Sequence, residues 1–189
     1  MIIYIHGFAS SGFGNKARYF RSACQDSGEP FMAPSLPYNP ELAITNLCDI
    51  IEYAQPHEPI HLIGSSLGGY YGLYLAHRYG LKVALINPSV KPVDTLGQLT
   101  GWTQHYHDGS QFEWTDVHTQ ALQTLAVPAT EALQQRTLLL VQTGDETLDY
   151  REAVAHLPTA QQVIEPGGDH GFQGIERHTE RLLSFFAAP

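Results

Sequence analysis

The sequence predicts an α/β fold in which a mostly parallel sheet of about six strands lies between two layers of helices. Short apolar runs bounded by turn residues alternate with longer segments of helical periodicity, which is the pattern of strands joined by crossover helices. The length of 189 residues and the hydrophobic content of 43% fit one compact domain. We therefore expect a single domain over residues 1–189.

The elements follow from the apolar periodicity, taken in chain order. The short apolar runs predict strands near residues 2–5, 30–34, 60–63, 82–87, 137–142 and 161–165. The segments between them predict helices near residues 16–27, 40–54, 67–79, 119–134, 149–156 and 173–187. Open parallel sheets bind ligands at the carboxyl ends of their strands, so we expect the chemistry at that edge.

Residues 91–136 are longer than a plain crossover between two strands. Because they are rich in aromatic residues, they predict a small lid or cap insertion over a pocket. Their aromatic side chains either pack on the core or line an acyl pocket. Trp102 and Trp114 are accordingly candidates for substrate contact.

Composition disfavours several classes of partner. A formal net charge of -9 and a pI near 5.5 argue against nucleic acid and against an anionic membrane surface. Cys24 and Cys48 have no disulfide-framework spacing, and Met1 leads directly into the first apolar run without a basic leader. We expect a cytoplasmic protein with a small-molecule substrate.

The segment Gly64–Gly68 reads Gly-Ser-Ser-Leu-Gly directly after a predicted strand. This is the Gly-x-Ser-x-Gly pattern of a nucleophile elbow, a tight strand-to-helix turn that exposes one serine. The spacing predicts Ser66 as the nucleophile. Ser65 falls at the x position and is instead a candidate for lining the substrate site.

A serine hydroxyl needs a base, and that base needs a carboxylate to orient it. His170 lies in a glycine-flanked loop after the last strand, and Asp145 follows the preceding strand. We predict His170 as the base and Asp145 as the acid. The alternative acids are Glu146, Asp149 and Asp169, and of these Asp149 is the natural cap of the next helix.

Backbone N–H groups must also stabilise the oxyanion of an acyl-transfer intermediate. Leu67 at the helix start predicts one donor, and Phe8 in the loop after the first strand predicts the other, with Ala9 as its alternative. His6 and Gly7 begin that loop and are candidates for lining the substrate site, and we expect His6 to brace the loop by hydrogen bonding.

Two further features bear on the site. Asn87 follows the fourth strand and is expected to shape the site floor. His105 and His107 form an H-x-H pair, but the sequence lacks a HExxH motif or a cysteine cluster, so no metal is expected.

These motifs together resemble those of the α/β-hydrolases, and more narrowly the small bacterial YqiA-type (UPF0227) esterases. The matching segments are Ile3–Ser11, Leu36–Tyr38, Ile63–Tyr70, Leu85–Val90, Gln142–Tyr150 and Gly168–Gly171. The resemblance implies an α/β-hydrolase fold and hydrolysis of carboxylic esters or acyl thioesters by a Ser-Asp-His triad, without a cofactor. Because the sequence starts at the strand before the oxyanion loop, we expect the leading antiparallel strands of larger members to be absent.

Other activities are compatible with the same residues. A catalytically inactive binding protein of this fold would keep the cleft, and a peptidase or C–C hydrolase would keep the triad. Substrate choice depends on the shape of the pocket and lid.

Overall fold

The computed structural model describes residues 1–188. The strands are β1 (Ile2–Ile5), β2 (Phe31–Met32), β3 (His61–Ser65), β4 (Lys82–Ile86), β5 (Gly101–Gln104), β6 (Gln111–Trp114), β7 (Thr137–Gln142) and β8 (Gln161–Glu165). Six of them form one parallel sheet in the order β2-β1-β3-β4-β7-β8, while β5 and β6 form a separate antiparallel hairpin. The prediction of a mostly parallel sheet of about six strands is confirmed.

The helices connect and flank these strands. They are α1 (Asn15–Ser27), α2 (Pro40–Ala54), α3 (Leu67–Tyr79), α4 (Pro92–Leu96), α5 (Asp116–Gln123), α6 (Glu131–Gln135), α7 (Tyr150–His156) and α8 (Thr179–Ala187). Within residues 1–188, none of them is long and apolar enough to cross a bilayer.

Alternate residues of the central strands face two different apolar clusters. In β1, Ile3 and Ile5 join the cluster that contains α2 and α3, whereas Ile2 and Tyr4 join the cluster that contains α1 and α8. The sheet is therefore covered by helices on both faces, as a parallel sheet requires. This arrangement gives the predicted three layers.

The strand order reverses between β1 and β3. The first connection leads from β1 outward to β2, and the later strands are then added on the opposite side of β1. In open α/β sheets the crevice at such a reversal is the usual ligand site. The loops after β1 and β3 are thereby brought side by side.

Several predicted boundaries were wrong. The second strand covers two residues instead of 30–34, and it lies between Pro30 and Pro34, which lack the N–H that a ladder needs. The single helix predicted over 119–134 is two helices, α5 and α6. The break contains Pro128, and Thr130 then caps α6 by accepting a hydrogen bond from Leu133 N at 3.2 Å.

The C-terminal helix also differs from the prediction. Residues 173–187 were expected to form one helix, but Ile175–His178 form a 3₁₀ turn and α8 begins only at Thr179. Gly174 before this turn has a left-handed φ of 73°, which ends the preceding loop and sets the start of the turn.

The segment 91–136 contains α4, a short 3₁₀ turn, the β5–β6 hairpin, α5 and α6. The hairpin was not predicted, although Asp108-Gly109 between its strands is a hairpin-turn signal. Gly109 adopts a left-handed φ of 72° there. The role of this segment as a lid stays a prediction.

Candidate active site

Ser66 is the single residue between β3 and α3, and its backbone is strained. It adopts φ 56° and ψ -125°, a backbone conformation that residues other than glycine rarely occupy. The flanking glycines allow the turn because a Cβ on Gly64 would lie 2.4 Å from the Gly68 carbonyl oxygen. A Cβ on Gly68 would lie 2.1 Å from the Ile5 oxygen. The segment thus has the geometry predicted for a nucleophile elbow.

The structure brings Ser66, His170 and Asp145 into one hydrogen-bonded chain. His170 Nε2 lies 3.0 Å from Ser66 Oγ, and His170 Nδ1 lies 2.8 Å from Asp145 Oδ2 and 3.0 Å from Oδ1. These are the distances at which a base can take the serine proton while a carboxylate fixes its tautomer. The three residues come from the loops after β3, β7 and β8.

Asp145 is held in the ionised state that this arrangement needs. Its side chain is 2% exposed, and burial raises its pKa. Hydrogen bonds from His170 and from the backbone N–H groups of Leu148 and Thr147 outweigh burial, so the pKa of Asp145 is lowered overall. The carboxylate is therefore charged at neutral pH and can stabilise an imidazolium.

The alternative acids are engaged elsewhere. Glu146 Oε2 accepts the backbone N–H of His170 at 3.0 Å, which steadies the loop rather than the ring. Asp149 caps α7 by accepting from Arg151 N at 3.0 Å, as predicted. Asp169 Oδ2 accepts from the Gln173 side chain. Only Asp145 among these four contacts the His170 ring.

Two buried amide side chains hold the His170 loop against the sheet. Asn87 Nδ2 donates to the carbonyl oxygens of Asp169 and His170, at 2.9 and 3.3 Å, and its Oδ1 accepts from Gln142 N. Gln142 Oε1 accepts from the N–H groups of Asp169 and Gln173. Asn87, predicted at the site floor, thus lies beneath the loop. Gln142 was missed, although its place at the end of β7 was a usable signal.

Phe8 and Leu67 remain the best-placed oxyanion donors. Both residues line the cavity beside Ser66, whereas Ala9 lines a smaller adjoining cavity. Within residues 1–188, neither the Phe8 N–H nor the Leu67 N–H has an acceptor. Gly7 brings the loop close, since a Cβ there would lie 3.0 Å from Ser66 Cβ. Both residues therefore border the cavity beside Ser66 with N–H groups that no acceptor in residues 1–188 occupies.

His6 holds the loop after β1 in place through hydrogen bonds of its ring. Its Nε2 accepts from Leu36 N at 2.9 Å, and its Nδ1 lies 2.8 Å from the Gly7 oxygen. Burial lowers the pKa of His6, which keeps the ring neutral and able to accept. His6 is outside the main cavity wall, so the structure gives it a bracing position rather than a substrate contact.

A cavity of about 360 Å³ opens beside Ser66 and His170. Gly7 and Ser65 line it, as expected for substrate-site residues. Pro92, Thr95, Leu96, Leu99 and Tyr106 of the 91–136 segment also form its wall. This volume is at the lower end of the range for small-molecule sites.

The two tryptophans do not line this cavity, contrary to expectation. Trp102 is 72% exposed on the outer face of the hairpin, paired with Glu113. Trp114 is fully buried, packs edge-on against the Phe8 ring at 5.0 Å and donates to Thr119. Trp114 therefore packs against the loop after β1 from the core side.

The fold is that of an α/β-hydrolase. A putative hydrolase from Agrobacterium vitis matches with a TM-score of 0.77 and 17% identity, over 98% of this chain and 87% of that one. Est1E from Butyrivibrio proteoclasticus matches with a TM-score of 0.73 and 19% identity, over 99% and 88%. At such identities these likenesses concern the fold alone.

Sequence similarity narrows this class to one family. The chain belongs to the family described as "Uncharacterised protein family (UPF0227)", which matches residues 1–187. A UPF0227 protein of Vibrio cholerae is 27% identical over all of both chains. One of Pasteurella multocida is 23% identical over 98% of each. The resemblance inferred from the motifs is confirmed.

Proposed function

We propose that the protein is a serine hydrolase that cleaves carboxylic esters or acyl thioesters, such as acyl-CoA, through an acyl-enzyme intermediate. The observation that carries this proposal is the Ser66–His170–Asp145 chain, with contacts of 3.0 and 2.8 Å, on the wall of a cavity. The hydrolases and esterases among the proteins of similar fold are consistent with this class.

The first half of the reaction forms the acyl-enzyme. Ser66 Oγ attacks the carbonyl carbon while its proton passes to His170 Nε2. The carbonyl electron pair moves onto oxygen, where the N–H groups of Phe8 and Leu67 stabilise the negative charge. The intermediate then collapses, the bond to the alcohol or thiol breaks, and the leaving group takes the proton from His170.

The second half releases the acid. Water attacks the Ser66 ester while His170 takes one of its protons, and collapse of the second intermediate returns that proton to Ser66 Oγ. Asp145 stabilises the imidazolium in both halves. No cofactor takes part in these steps. We further propose that the enzyme acts on small-molecule substrates in the cytoplasm.

The proposal is tested with p-nitrophenyl butyrate and butyryl-CoA, alongside labelling by a fluorophosphonate followed by intact mass spectrometry. We expect turnover of at least one substrate and one covalent adduct, both lost in Ser66→Ala. Full turnover by Ser66→Ala would overturn the proposal. An unlabelled, inactive wild type would instead indicate a binding protein, and labelling without ester or thioester turnover would indicate a peptidase or C–C hydrolase.

A further inference from the structure

One wall of the cavity carries a positive charge that the proposed chemistry does not use. Lys16 lies in the first turn of α1 and lines the cavity together with Ser66 and His170. Its Nζ donates to the backbone oxygen of Gly171 at 2.8 Å. Within the described part of the chain, residues 1–188, Lys16 forms no ion pair.

The nearby carboxylates are already engaged. Asp145 accepts from His170 and two backbone N–H groups, and Asp169 accepts from Gln173. Burial lowers the pKa of Lys16 and outweighs the charges of Asp169 and Asp145, which raise it. An ammonium has three donors, and one carbonyl oxygen uses only one of them. The remaining hydrogen-bonding capacity of Lys16 is available to a ligand in the cavity.

The rest of the cavity wall includes both polar and apolar side chains. Tyr4 and Ser65 lie near each other on the cavity wall that also includes Lys16, and burial raises the pKa of Tyr4, so its hydroxyl stays protonated. Ser89 is 6% exposed and also lines the cavity, and its hydroxyl is buried without a hydrogen-bond partner in residues 1–188. Leu96, Leu99 and Leu148 form the apolar part.

Buried polar groups are normally paired, so a lysine that lines the cavity with unused donors and no direct ion pair indicates a polar ligand. A single lysine without a neighbouring arginine suits a singly charged group better than a phosphate, which usually takes several donors. The net charge of -9 gives the protein as a whole no attraction for anions. Lys16 provides a local attraction, at a range where salt screens it little.

We propose that Lys16 binds a carboxylate carried by the substrate, so that the enzyme prefers esters or thioesters with a negative charge near the scissile bond. This inference rests on the proposed function. The carboxylate can belong to the acyl group or to the leaving group, and these two sources give the test its two arms.

In the acyl arm, p-nitrophenyl hemisuccinate is compared with neutral p-nitrophenyl 4-methylpentanoate, which has a similar shape. In the leaving-group arm, the butyryl ester of 4-hydroxybenzoate is compared with that of 4-hydroxybenzamide. The readout is the charged-to-neutral ratio of kcat/KM within each arm. We expect Lys16→Gln to lower this ratio about tenfold or more in one arm, mainly through KM, and Lys16→Arg to keep most of it.

Arg18→Gln is the matched control, because it removes a positive charge from the exposed side of the same helix, where Arg18 donates to Asn15. In Arg18→Gln the charged-to-neutral ratio of kcat/KM should stay within about twofold of the wild-type ratio, as expected for a screened surface charge. If Lys16 only held Gly171 in place, Lys16→Gln would lower kcat/KM equally for the charged and the neutral substrate of an arm. The charged-to-neutral ratio would then be unchanged, and this result would overturn the inference. Absence of turnover with every ester of both arms, charged and neutral, would instead count against the proposed function.

Discussion

The two ends of the central sheet are built differently. The loops at the carboxyl ends of the strands contain every non-glycine residue with a left-handed φ in residues 1–188, namely Ala9, Ser66, Asn87 and Phe172. At the amino ends, strand residues are held by ring stacking and by a hydrogen bond from a lysine ammonium. The His61 ring stacks on Phe186 at 4.8 Å and 7°, and Lys82 Nζ donates to the Phe185 oxygen at 3.1 Å.

Backbone strain costs about 1–3 kcal/mol per residue and persists only where the surroundings impose it. Its restriction to one end suggests a division of roles: the carboxyl end holds the proposed reactive groups, and we expect the amino end to contribute mainly to stability. Substitutions at the carboxyl end should therefore change rates more than stability, and substitutions at the amino end should do the opposite.

The largest expected effect tests the carboxyl end. Asp145→Asn should lower kcat by about 10³–10⁴-fold, because an amide cannot hold the required His170 tautomer or stabilise the imidazolium. Thermal unfolding should change little. Glu146→Gln is the control, since it keeps an acceptor for the His170 backbone N–H. Equal rate losses in both variants would mean that Asp145 is not the acid.

A smaller effect is expected where a side chain acts through the loop. Asn87→Asp keeps an acceptor for Gln142 N but replaces the donor to the Asp169 and His170 carbonyl oxygens. Loss of loop positioning should reduce kcat by about 10–100-fold, with less change in KM. Steady-state kinetics and the rate of fluorophosphonate labelling measure this. Asn46→Asp, the same change at an exposed position, serves as the control. A wild-type kcat in Asn87→Asp would show that Asn87 does not position the His170 loop.

At the amino end, we expect His61 to make the free energy of unfolding depend on pH. Burial lowers the pKa of His61 from 6.5 to about 4, and the positive charges of the N-terminus and Lys82 add to this. On acidification the unfolded chain therefore binds a proton before the folded chain does. The stability present above pH 6.5 is progressively lost as the pH falls toward 4, by about 2 kcal/mol after allowance for partial exposure.

His61→Gln should flatten this part of the curve of unfolding free energy against pH, measured by urea denaturation. His57→Gln, at an exposed histidine of the preceding turn, should leave the curve unchanged. Ester turnover at neutral pH should differ little between His61→Gln and wild type. A large loss of turnover at unchanged stability would contradict the division between the two ends.

The sequence predicted the elements whose signals are local. The elbow needs Gly64, Ser66 and Gly68 at fixed spacing, and the acid and base follow their strands in the order typical of the fold. Sheet, layers and family are confirmed. The contacts that hold the His170 loop were not predicted, because Asn87 and Gln142 come together only through strand pairing between distant segments.

The 91–136 segment was predicted least well. Trp102 and Trp114 are equivalent as sequence features, yet one is exposed and the other buried, because antiparallel pairing places Trp102 beside Glu113 and Trp114 on the face of Phe112. That alternation has period two and is visible in Gln111–Trp114 once a hairpin is assumed. Pro128 likewise marks the break in the predicted helix.

The hairpin is tied to the loop after β1, which bears Phe8, one of the two proposed oxyanion donors. Tyr106 N donates to the Ala9 oxygen at 2.8 Å, and the Phe8 ring packs against the rings of both Phe112 and Trp114. For enzyme engineering this means that the hairpin is not an interchangeable module. Grafting one from a relative to alter substrate range would also displace the Phe8 N–H, so donor hairpins must be selected together with their own β1 loop.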